Sequence, residues 1–167
     1  MQSRSVTHAP QAPGWKQTLE DRLPLYGHRN WIVIADSAYP EQARAGIETI
    51  TSHAGQIEVV EGVLAALASS KHVKPIVYTD HELAFVNEED APGIGAYRDR
   101  LSEVLGRSEV KVLAHEQIIQ KLDEAAKSFR VLIIKTDMTI PYTSVFLELD
   151  CAYWGGDAEA ALRKAMR

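Results

Sequence analysis

A single cysteine, Cys151, in 167 residues leaves no partner for an intrachain disulfide. That excludes a disulfide-stapled scaffold and fits a reducing compartment, with Cys151 read as a small buried apolar residue. No apolar run approaches the roughly 20 residues needed to span a bilayer. The amino terminus also lacks the compact apolar segment of a secretory signal. Lys and Arg number 18 against 23 Asp and Glu, giving a net charge of −5, and they form no cluster. A nucleic-acid surface is therefore not expected. The expectation is a soluble, cytoplasmic protein with neither a membrane nor a nucleic acid as partner.

Several signatures of chemistry are missing as well. There is no GxGxxG, and Gly93-x-Gly95 sits in a loop that no strand opens, so dinucleotide binding is not expected. GxxxxGK and GxSxG are both absent. The six histidines form no HxxxH or HExxH pair, which argues against a local metal site. No cofactor is expected.

What remains is ordinary globular composition, 46% hydrophobic and 25% charged. Residues 1–13 are polar with two prolines and read as a flexible tail before a single domain over 14–167. A short helix is expected over 14–22, ended by Pro24. Trp31–Ala35 reads as a strand buried on both faces, and Gly46–Thr51 as a second strand. Over 56–70, Ile57, Val60, Leu64 and Leu67 fall on one helical stripe. Pro75–Tyr78 is strand-like, with Pro75 marking a strand start or an edge.

Residues 87–95 form a loop, after which a helix carries Tyr97, Leu101, Val104 and Leu105 inward and stops at Gly106. Further strands are expected over Glu109–Leu113, Arg130–Lys135 and Val145–Leu149. Helices are expected over His115–Lys127, with Ile118, Leu122 and Ala125 inward, and over 157–166. This alternation predicts a single-domain, three-layer α/β sandwich. Its sheet is largely parallel or mixed, with helices on both faces.

Three polar groups stand at strand ends. Gly27-His28 precedes the first strong strand, Asp36 follows it, and Ala114-His115-Glu116 joins a strand to a helix. Ligands of open α/β sheets collect at carboxyl ends of strands, where Asp36, His115 and the Thr136–Ser144 loop all fall. A helix amino terminus favours neutral imidazole at His115. These groups fit either a small polar-ligand site or ordinary caps and turns. Asp80-His81-Glu82 likewise reads as cleft residues or as a solvated strand end, and His53 and His72 as surface residues. His8 lies in the tail.

Taken in order, these stretches resemble the D-ribose pyranase / L-fucose mutarotase (RbsD/FucU) family. The resemblance is carried by Gly27-His28, the apolar Trp31–Ala35, Asp36-Ser37-Ala38 with Pro40, and Ala114-His115-Glu116-Gln117. Lys135-Thr136-Asp137-Met138 and Pro141-Tyr142-Thr143-Ser144 before Val145 complete it. It implies an RbsD-like fold and a cofactor-independent isomerase, a mutarotase or pyranase acting on a free monosaccharide. His28 would be the catalytic acid, and Asp36, His115, Tyr142, Thr143 and Ser144 would bind substrate. It also implies a homo-oligomer with sites at subunit interfaces.

The alternative is a non-catalytic sugar-binding or regulatory member of the same fold. Asp137-Met138 stands where the family has Gly-Glu, Ser144 where it has Asn, and Asp150-Cys151 where it has Gly-Val. Six residues of strand from 30 to 36 span roughly 20 Å. Either the Gly27 turn folds His28 back along the strand, or His28 and Asp36 serve different copies of a site shared between subunits. The homo-oligomer that the resemblance implies suits the second, which is the expectation.

Overall fold

The structure, a computed structural model, describes residues 14–167, so the expected tail and His8 lie outside the described residues. Helix α1 (Trp15–Arg22) runs into a 3₁₀ turn at Leu23–Leu25 and is followed by β1 (Trp31–Ala35) and β2 (Ile47–Thr51). Helix α2 (Gln56–Ser69), β3 (Val73–Asp80), α3 (Ile94–Leu105), β4 (Val110–Leu113) and α4 (His115–Ala125) come next. Strands β5 (Val131–Lys135) and β6 (Val145–Cys151) and helix α5 (Gly156–Ala165) complete the order.

The strands form one mixed sheet in the order β2-β5-β1-β6-β3-β4. Strand β1 pairs parallel with β5 and β5 with β2, while β3 pairs parallel with β4. Only β6, set between β1 and β3, runs antiparallel to its neighbours. One edge of the sheet therefore collects the carboxyl ends of five strands and the amino end of β6.

Period-2 alternation divides the strand side chains between two cores. Ile32, Ile34, Leu132, Ile134, Val145 and Leu147 face α1, α2 and α3. Trp31, Val33, Val131, Ile133 and Phe146 face α4 through Ile118 and Leu122. Helices thus cover both faces, and β1 is buried along its whole length, as a strand in the middle of such a sheet must be.

Helix α2 seats Val59, Val60, Val63 and Leu67 in the core. Ile57 and Leu64, expected on that stripe, are only partly buried at its margin. The buried arc is centred about one residue away from the sequence reading, and Gln56 is drawn under it. Gly62 lets α1 approach closely, because a Cβ there would sit 2.6 Å from the Trp15 ring.

Pro75 lies within β3 opposite Leu149 of β6, but β4 pairs with β3 only from Val77 onward. Pro75 therefore occupies the stretch where β3 has a free side and no amide is demanded. Gly106, at φ 54°, ends α3 as expected. Helix α5 buries none of its residues.

Two side-chain readings are corrected. His72 is half-buried rather than on the surface. Its Nε2 lies 3.0 Å from the carbonyls of both Leu23 and Tyr26, and its Nδ1 lies 2.8 Å from Ser70 Oγ. Cys151 is half-buried rather than enclosed, at the end of β6 opposite Val73.

Candidate functional site

Both oxygens of the Asp36 carboxylate, just past β1, are engaged from within the chain. The Ala38 amide donates to Oδ1 at 3.0 Å in a local turn, and Ser144 Oγ donates to Oδ2 at 3.2 Å. The Asp36 amide in turn donates to Ser144 Oγ at 3.2 Å. Ser144 and Thr143 are both buried. The Thr143 hydroxyl donates to the Ile140 carbonyl at 2.7 Å, which closes the turn before β6. Neither side chain borders open space, and each holds a group that does.

Beneath this loop lies Gln56, the first residue of α2. Its Nε2 donates to the carbonyls of Ile34 and Thr143 at 3.0 and 2.9 Å, and its Oε1 accepts from Thr136 Oγ1 at 2.6 Å. The Tyr97 hydroxyl of α3 donates to the same Thr143 carbonyl at 2.6 Å. A buried amide with its partners in place fixes β1, β5 and the loop before β6 relative to one another.

The other wall is built by strand pairing. Parallel registration of β3 with β4 sets Asp80 opposite Leu113, two residues before His115. The His115 Nδ1 sits 3.0 Å from both oxygens of Asp80. The Asp80 side chain is fully enclosed, while that of His115 is 29% exposed. The solvated-strand-end reading of Asp80 is therefore corrected. Burial pushes its carboxyl up to about 6 against the pull of His115, and nearby Glu82 and Asp36 add to the rise.

Glu82 has its own task. Ala114 precedes α4 and has no side-chain acceptor, so the Glu82 carboxylate takes the His115 amide at 3.0 and 3.1 Å. The positive end of α4, expected to act on His115 by itself, is thus met by two carboxylates.

Together these elements enclose a cavity of about 560 Å³, lined by Asp36 to Pro40, Gln42, His115, Glu116, Ile119 and Thr139 to Tyr142. It lies outside the carboxyl ends of β1 and β3, on either side of the antiparallel β6. From that point the chain leaves β1 toward one edge of the sheet and β3 toward the other, the usual place for a ligand crevice. Tyr142 stands at its rim, ring edge-on to His115 with centroids 5.7 Å apart. Its φ of 60° is a sparsely populated conformation for an aromatic residue and holds the ring outward. Asp137 is exposed, and Met138 packs partly into the core. Neither replaces a carboxylate in this cavity.

His28 is elsewhere. It precedes β1 and so lies at the opposite edge of the sheet, beside the end of β6. There it lines a second cavity of about 680 Å³ with Arg29, Asp150, Cys151, Trp154 and Glu159 among others. Arg29 also has a positive φ, 75°, and its amide donates to the Leu149 carbonyl at 2.8 Å. The Trp154 indole donates to Glu159 at 2.8 Å and Arg163 pairs with the same carboxylate at 2.7 Å, which together hold Glu159 below the usual carboxylate range. Within one chain His28 and Asp36 line different cavities among the described residues. Of the six residues singled out from sequence, Asp36, His115 and Tyr142 meet in one cavity, Thr143 and Ser144 support it from behind, and His28 stands apart.

The sequence matches the RbsD / FucU transport protein family over residues 16–151. The chain belongs to that family. RbsD from Bacillus subtilis complexed with D-ribose is 22% identical, with a TM-score of 0.54 over 90% of this chain and 98% of that one. The fucose mutarotase from Streptococcus pneumoniae in complex with L-fucose is 20% identical, with a TM-score of 0.53 over 80% of this chain and 91% of that one. FucU from Bifidobacterium longum is 17% identical, with a TM-score of 0.53 over 80% and 94%. At these identities the likeness is one of fold. No curated protein matches the sequence.

The RbsD/FucU match ends at residue 151, so Trp154, Glu159 and Arg163 line the His28 cavity from beyond the matched stretch. No helix among the described residues is long and apolar enough to cross a membrane. No group of three or more His, Cys, Asp or Glu among the described residues is placed to hold a metal ion.

Proposed function

We propose that this RbsD/FucU protein is a cofactor-independent mutarotase or pyranase of a free aldose. The observation that carries this reading is the cavity where Asp36, His115 and Tyr142 converge in a member of that family. A monosaccharide is a ring of hydroxyls with apolar C–H faces. Asp36 accepts from hydroxyls, His115 exchanges hydrogen bonds with them, and the half-exposed Tyr142 ring packs on a C–H face.

Ring opening needs a proton on the ring oxygen and the loss of one from the anomeric hydroxyl. Reclosure on the other face exchanges anomers, and reclosure through a different hydroxyl exchanges pyranose with furanose. In this proposal His28 is the acid, and it reaches the sugar from a neighbouring subunit. The support is positional: His28 lies at the amino end of β1 and Asp36 at its carboxyl end, roughly 20 Å of strand apart. A head-to-tail homo-oligomer brings one subunit's His28 edge to its neighbour's Asp36 cavity.

Saturation-transfer NMR on a panel of aldoses tests the function. The wild type is expected to accelerate exchange between anomers or ring forms of at least one sugar, and His28→Ala to abolish it with the fold intact. Binding without exchange would instead favour a sugar-binding protein, and full exchange in His28→Ala would overturn the role of His28.

A further inference from the structure

Ring opening moves two protons, and the reading above assigns only the one delivered to the ring oxygen. The group that removes the anomeric proton must border the same cavity and hold a free acceptor. Asp36 and the exposed Glu116 border it and keep lone pairs for sugar hydroxyls, but no titratable group stands behind either: the Asp36 oxygens accept from the Ala38 amide and the Ser144 hydroxyl. Tyr142 stands at the rim with its ring edge-on to His115 and serves as a packing surface and hydrogen-bonding hydroxyl.

His115 is different. Its amide is fixed by the Glu82 carboxylate, and its ring is held edge-on by Tyr142 and Phe146 at 5.7 and 6.3 Å. Its Nδ1 faces both oxygens of the enclosed Asp80 at 3.0 Å. Nε2 is the ring nitrogen left without a partner among the described residues, in a side chain that lines the cavity.

We propose that Asp80 and His115 form a proton-transfer dyad, in which Asp80 holds the Nδ1–H tautomer and His115 Nε2 removes the anomeric proton. Resting on the mutarotase reading, the step balances as follows. The O–H bond of the anomeric hydroxyl breaks and its proton passes to Nε2. The O–H electron pair forms the C1 carbonyl, and the bond from C1 to the ring oxygen breaks with its pair going to that oxygen. The ring oxygen takes its proton from the acid opposite. Closure runs the same transfers backward, so both groups return to their starting states. His115 is thus a catalytic residue, and Asp80 a positioning residue that acts through it.

The test joins a structural readout to a kinetic one. In ¹⁵N-labelled wild type near pH 8, long-range ¹H–¹⁵N correlation at the assigned His115 ring should report the Nδ1–H tautomer. Asp80→Asn should lose that preference. The same substitution should lower kcat by about 10²–10⁴-fold, the usual worth of acid–base catalysis, with KM changed by no more than about threefold. His115→Gln should show a loss of the same order.

An Nε2–H tautomer in the wild type overturns the dyad with no variant needed. Undiminished kcat in Asp80→Asn overturns it too, while wild-type exchange leaves the mutarotase reading standing. A wild type that exchanges no aldose, despite the expected tautomer, removes that reading and the catalytic role of His115 with it.

Discussion

Asp80 is an acid enclosed by protein, facing one histidine and flanked by Glu82 and Asp36. Desolvation disfavours its charged form, so its native pKa near 6 exceeds the ~3.9 of an unfolded chain. Between those two values the native state binds more protons than the unfolded state. Stability therefore contains a contribution that is whole below pH ~4 and is lost as pH rises toward 6. Asp80→Asn has no such loss. Chemical denaturation from pH 4 to 7 should show the variant gaining stability relative to wild type through that window and levelling above it. A pH-independent difference would contradict the account. The same substitution is expected to impair kcat, so activity and the pH dependence of stability are changed by one residue.

At the scale of elements, Gln56 joins the start of α2 to the ends of β1 and β5 and to the loop before β6. Gln56→Ala leaves buried polar groups without their partner and should cost about 1–3 kcal/mol, read as a lower midpoint in urea. A loss below about 0.5 kcal/mol, typical of a surface position, would show the bridge to be incidental.

Elements of this kind were largely legible in the sequence. The apolar runs Trp31–Ala35 and Val131–Lys135, the helical spacing of α3 and α4, and the Gly106 stop all follow from local periodicity and backbone preference. The convergence of Asp36, His115 and Tyr142 was legible too, because strand ends gather at one edge of a parallel sheet. Gln56 was not, since nothing beside it in sequence demands a buried amide. The Asp80–His115 pair and the Glu82 cap depend on β3 pairing with β4 in one register across more than 30 residues of chain. That long-range choice leaves no local mark. The burial of Thr143 and Ser144 was hidden for the same reason, since Gln56 of α2 and Tyr97 of α3 bond the Thr143 carbonyl and the Asp36 amide, just past β1, bonds the Ser144 hydroxyl.

At the scale of the whole molecule, the two cavities lie at opposite ends of the strands. Asp36, His115 and Tyr142 line one cavity, while His28 lines another with α5 forming part of its wall. A contact between unlike edges is heterologous, and such contacts close into rings when their rotation permits. Each site would then draw the acid from one subunit and the sugar-holding groups from the next.

That claim is tested most directly by subunit complementation. His28→Ala and Asp36→Ala proteins are each expected to show no exchange of the sugar that the wild type turns over. When the two are refolded or co-expressed together, about a quarter of the interfaces in a random head-to-tail assembly pair an intact His28 with an intact Asp36. Saturation-transfer NMR should then recover exchange approaching that fraction of the wild-type rate. Mixed oligomers, verified by mass, that exchange no faster than either variant alone would contradict the account.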